Sequence, residues 1–116
     1  LYKEYLGIDV PDDARGVLQD MHWADGAFGY FPSYALGTAY SAQFMAALTR
    51  ELDVNACIAR GDLSPVKQWL TEKIYRHGML LTADELLRGA TGEPFAPHYY
   101  VDYLTEKYTG LYGVDV

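Results

Sequence analysis

One stretch, Tyr34 to Leu52, decides more about this chain than any other. It reads as a single long helix, and Tyr34, Leu36, Tyr40, Phe44, Met45 and Leu48 put apolar side chains on nearly every side of it. Ser33 stands where an N-cap would, with a hydroxyl able to accept from an early helical N–H. A helix that is apolar all round must be packed on several sides. A chain of 116 residues offers few other elements to do so, and the expectation is that part of its cover comes from a further domain.

The other elements also read as helices joined by marked turns. Leu1 to Leu6 looks like the end of a helix whose start is cut away, stopped by Gly7 with Pro11 beyond. The segment Asp12 to Phe31, with Gly16, Gly26 and Gly29, reads as a short helix and then a structured loop. Val54 to Arg60 forms a short helix ended by Gly61. Ser64 as N-cap and Pro65 at the first helical position open a helix through His77, closed by Gly78. Its inner face is Val66, Trp69, Leu70, Ile74 and Tyr75. Thr82 and Glu85 form a capping box before Leu86 and Leu87. Pro97 begins a last helix with Tyr100, Val101, Leu104 and Tyr108 at helical spacing. No strand alternation persists, so the fold class is all-α, with residues 1–116 as a single helical domain or a fragment of one.

Composition removes several classes of function. Half the residues are hydrophobic, which argues against disorder, and a net charge of -7 with scattered basic residues argues against a nucleic-acid surface. The most apolar stretch, Tyr34 to Leu48, is interrupted by Thr38, Ser41 and Gln43, and no membrane span is expected. The chain opens at Leu1 without a basic n-region or apolar signal core. A lone cysteine, Cys57, allows no internal disulfide; the default is a reducing, cytoplasmic setting with Cys57 as a small buried hydrophobe.

The chemistry concentrates early, in Gly16-Val-Leu-Gln-Asp-Met-His-Trp23 and the following Gly26–Gly37 run. A carboxamide, a carboxylate, an imidazole, an indole and two phenols held between glycines suit a pocket wall better than a core helix. Asp20 lies two residues before His22, and a carboxylate beside an imidazole fixes its tautomer for proton transfer or anion binding; the alternative is a structural histidine bonded to backbone. Tyr34 sits at a loop-to-helix junction, where a protonated phenol could stabilise an oxyanion, and Tyr30 has a weaker version of the same argument. Both could instead simply pack. Gln19 and Asp20 read equally as orienters or as caps of a local turn. Gly26 and Gly29 would allow close backbone approach to a ligand. His77 and His98 stand alone, and no histidine or carboxylate pair has metal-ligand spacing, so this chain by itself is expected to bind no metal.

The run Gly-x-x-Gln-Asp-x-His-Trp at Gly16, Gln19, Asp20, His22 and Trp23 resembles the last signature of the thermostable-type metallocarboxypeptidases, peptidase family M32. The resemblance continues through Gly29–Gly37, Arg76-His77-Gly78 and Thr91-Gly92-Glu93-Pro94 to Lys107-Tyr108 and Leu111-Tyr112-Gly113, nearly the whole chain. It implies the C-terminal helical segment of a zinc-dependent enzyme that removes single residues from peptide C-termini. Such enzymes carry a His-Glu-x-x-His zinc helix and a downstream Glu ligand, neither of which occurs in this sequence. By resemblance, zinc belongs to an absent N-terminal catalytic part, and the isolated chain would be inactive. His22 and Tyr34 would then stabilise the intermediate. Gln19, Asp20, Trp23, Gly26, Gly29 and Tyr30 would bind or orient the peptide substrate. A homodimer with a cytoplasmic role is implied too. The competing reading is a non-catalytic acidic helical module, such as one half of a split peptidase.

Overall fold

The computed structural model describes residues 1–113, in which every regular element is a helix or a 3-10 turn and no strand occurs. The chain divides into two compact units, Leu1–Ala35 and Leu36–Val116.

The first unit is short elements tied by their own polar groups. Helix α1 (Tyr2–Leu6) is ended by Gly7, as expected, and Lys3 Nζ lies 2.8 Å from Asp9 Oδ2. Two 3-10 turns follow, Asp13–Arg15 and Val17–Gln19, meeting at Gly16. A Cβ there would lie 2.5 Å from Val10 Cγ1 and 3.3 Å from the Asp12 carbonyl oxygen, which explains the glycine. The one true α-helical turn in the segment is α2 (Met21–Ala24), shorter than the pattern suggested. The first turn of α3 (Pro32–Glu51) completes the unit. This helix starts two residues earlier than Tyr34, so Ser33 lies inside it and does not cap it. Proline at the start fits, because its missing N–H would have had no partner in the helix.

The second unit has a packed core. The remainder of α3 is followed by α4 (Val54–Arg60), α5 (Ser64–Lys73), a 3-10 turn (Tyr75–His77), α6 (Ala83–Thr91) and α7 (His98–Tyr112). Ala47 and Leu48 of α3, Trp69 of α5 and Ala90 of α6 form the buried cluster, flanked by Phe44, Leu52, Val54, Val66, Leu70 and Ile74. Helix α3 thus buries one stripe (Ala39, Gln43, Ala47, Leu48), while Tyr34, Leu36 and Met45 stay about half exposed. Cys57 is buried, as expected of a small hydrophobe.

Gln43 is the one buried polar side chain among the described residues, and its carboxamide is fully used. Its Nε2 donates to the Pro94 carbonyl at 2.9 Å, and its Oε1 accepts from the Ala96 N–H at 3.0 Å. The loop after α6 is thereby pinned to α3, satisfying groups that would be costly to bury unpaired.

Three local details differ from the sequence pattern. Ser64 is the first residue of α5 and not its cap; its N–H donates to Asp62 Oδ1 at 3.0 Å, so the acceptor lies two residues upstream. The helix ends at Lys73, and the turn continuing it to Gly78 swings Tyr75 outward. Helix α7 has the expected course but buries none of its residues. The Thr82–Glu85 capping box is present in full.

Candidate functional site

The site expected from sequence lies in the first unit, and its geometry begins with Asp20. One oxygen, Oδ1, accepts from the His22 backbone N–H at 3.0 Å and lies 3.0 Å from His22 Nδ1. The first contact caps α2; the second holds the imidazole. An ionised carboxylate can only accept, so this contact is a hydrogen bond when the ring carries a proton on Nδ1; Nε2 lies on the opposite edge of the ring. The oxygen that caps α2 is therefore also the one within hydrogen-bond distance of the His22 ring.

Aromatic rings fix the other sides of His22. Tyr30 stacks on it at 5.8 Å between centroids, while Tyr34 and Phe31 meet it edge-on at 5.8 and 6.1 Å. Tyr30 and Tyr34 also contact each other at 5.5 Å and 88°. The imidazole is among the few side chains of this unit that are not exposed, at 25%. Phe31 was not singled out from the sequence. Its signal was its place between Tyr30 and Tyr34 in the same glycine-bounded run.

The remaining expected residues divide by position. Gln19 Nε2 donates to the Ala14 carbonyl, tying the two 3-10 turns together. Trp23 pairs edge-to-face with Phe28 at 5.1 Å, apart from the cluster around His22. Gly26 and Gly29 both have φ of 74°, a conformation that side chains disfavour, and they turn the chain so that Tyr30 returns to His22. The Ala27 N–H donates to the His22 carbonyl at 2.8 Å, closing that turn. His77 and His98 lie in the second unit; the His98 ring meets Tyr99 at 4.2 Å.

Among the described residues, no three His, Cys, Asp or Glu side chains gather closely enough to hold a metal ion. Nor is any of their helices long and apolar enough to cross a membrane.

Comparison with known proteins gives the family of the chain. The family model described as carboxypeptidase Taq (M32) metallopeptidase matches residues 1–108. Carboxypeptidase 1 of Bacillus subtilis is 48% identical over 112 residues, covering 96% of this chain and 22% of that protein. Thermostable carboxypeptidase 1 of Pyrococcus furiosus is 41% identical over 104 residues, covering 89% of this chain and 21% of that protein. The chain therefore spans about a fifth of the length of these curated relatives. In three dimensions, the M32 carboxypeptidase of Deinococcus radiodurans R1 superposes with a TM-score of 0.84 at 42% identity, over 97% of this chain and 23% of that one. Trypanosoma cruzi metallocarboxypeptidase 1 gives a TM-score of 0.82 at 47% identity, over 92% and 23%. By sequence match and by fold, the chain belongs to the M32 family of metallopeptidases.

Proposed function

We propose that this chain is the C-terminal part of a metal-dependent carboxypeptidase that releases single amino acids from peptide C-termini, and that it forms the wall of the substrate cleft opposite the metal. The observation that carries this reading is the cluster of His22, Tyr30 and Tyr34 within the family's own motif. Attack on a peptide carbonyl builds negative charge on its oxygen. A phenol O–H or an imidazole N–H aimed at that oxygen donates a hydrogen bond that strengthens as the charge grows. Tyr34, at the entrance of α3, and His22 are assigned this task. Tyr30 and Trp23 line the approach, Gly26 and Gly29 leave room for the peptide backbone, and Gln19 and Asp20 orient substrate or loop.

On this reading the metal, zinc or another divalent ion, is held by a catalytic part that precedes these residues, because the donor groups described here do not fit it. It supplies Lewis acidity when bound. The whole enzyme is proposed to act as a homodimer in the cytoplasm.

The test is Tyr34→Phe in an M32 enzyme of family length carrying this segment. The substitution removes a hydroxyl and keeps the ring, so kcat should fall about 100-fold, roughly 3 kcal/mol, with KM nearly unchanged. A near-wild-type kcat would remove Tyr34 from the mechanism.

A further inference from the structure

We infer that Asp20 is a positioning residue that acts through His22 rather than on the substrate: one carboxylate oxygen sets both the start of α2 and the orientation of the imbedded imidazole. The inference deepens the proposed function and rests on it in one respect, that Nε2 of His22 is the atom turned toward the peptide.

The geometry is unusual in economy. A cap needs an oxygen near an early helical N–H, and orienting an imidazole needs an oxygen near Nδ1. Asp20 Oδ1 meets both at 3.0 Å, so the ring cannot turn about its χ angles without losing a bond anchored in the backbone. The Tyr30 ring stacked on one face and the edges of Phe31 and Tyr34 limit rotation further. Asp20 is in turn fixed from upstream. Its N–H donates to the Val17 carbonyl at 3.3 Å, and Gln19 ties the same turn to Ala14. Gly16 permits the close chain approach at which the two turns meet. The motif residues from Gly16 to Asp20 thus form a mount whose product is one orientation of one ring.

The consequence is a specified hydrogen-bonding state. With Nδ1 committed to a carboxylate, the neutral ring carries its proton there and presents Nε2 to the peptide as an acceptor; in the doubly protonated ring Nε2–H is the donor turned toward a developing oxyanion, while Nδ1–H stays on Asp20.

Imidazole nitrogen NMR of the chain tests this directly. Under mildly basic conditions, where imidazoles are neutral, His22 should show the Nδ1-protonated tautomer; finding the Nε2-protonated form in the unsubstituted chain would overturn the inference. Asp20→Ser separates the two jobs. Serine caps a helix about as well as aspartate, but its single short hydroxyl cannot grip the ring in addition. It should keep the circular dichroism and give a mixture of both tautomers; an unchanged tautomer would overturn the inference. Asp20→Asn guards against loss of α2 in the serine variant, because its amide oxygen still caps and still accepts from Nδ1–H. It should restore the original tautomer. In the family-length enzyme, Asp20→Ser should lower kcat about 10-fold or more, with partial rescue in Asp20→Asn. A changed tautomer with unchanged peptide cleavage would uphold the positioning and overturn instead the substrate contact assigned to His22.

Discussion

Leu1–Ala35 and Leu36–Val116 are held by different forces, and the difference follows their tasks. In the first unit Gly16 is the only buried residue, and order comes from carboxylates closing turns: Asp12 on the Arg15 N–H, Asp20 on His22. In the second, helices share a core of Ala47, Leu48, Trp69 and Ala90, and the buried Gln43 carboxamide ties a loop to α3. Caps place a few groups accurately while leaving their surroundings open to a ligand or to the rest of an enzyme. A core stabilises, but closes its surroundings. The candidate chemistry lies where the chain is tied and not where it is packed.

Substitutions can break or sharpen that contrast. The largest effect should come from Leu87, 1% exposed in α6. Leu87→Ala removes buried methyl groups and should cost about 2–5 kcal/mol in denaturant unfolding. Next is Gln43→Met, similar in shape but unable to pair with Pro94 or Ala96, which should cost roughly 2 kcal/mol. Thr82→Ala removes a cap in the packed unit and should cost about 1 kcal/mol. The same box gives a pH dependence. The Thr82 backbone N–H and hydroxyl donate to Glu85 and hold its carboxyl below its ordinary value. Its contribution is therefore present above the ordinary carboxylate range and fades as pH falls through the lowered value. Acid unfolding should lose that component in a Glu85→Gln variant. The smallest effect is expected in the first unit: Leu18→Ala, at 72% exposure, should change stability by less than about 0.5 kcal/mol. A loss above 1 kcal/mol there, measured by the same unfolding, would mean that hidden packing holds this unit too.

What the sequence made legible follows the same line. The Thr82–Glu85 box and the Gly7, Gly61 and Gly78 stops were readable because a cap is a local bond between near neighbours. The start of α5 was misread because Asp62 and Ser64 are both good acceptors, and only the backbone path decides which one serves. Tyr75 was misplaced because the helical period fails at Ile74, where φ and ψ are -126° and -63°. That His22, Tyr30 and Tyr34 belong to one glycine-bounded stretch was legible, but that Gly26 and Gly29 turn the chain so that their rings meet was not, because glycine spacing alone reads equally as room for a ligand. That one Asp20 oxygen meets both the His22 N–H and the His22 ring was not, because the two contacts coincide only in a side-chain rotamer that sequence does not specify. That α3 buries a single stripe was hidden as well, since apolar residues cover most of its circumference.

The grip of Gln43 on the loop after α6 sets a rule for how this chain can vary in length. Its two amide atoms read a carbonyl at Pro94 and an N–H at Ala96, a spacing of two residues measured from a fixed point on another helix. One residue inserted between them would leave the carboxamide able to satisfy only one, with the other stranded beside a side chain that is 1% exposed. In related chains that keep this glutamine, the segment from Pro94 to Ala96 should therefore hold its length even where its residues change.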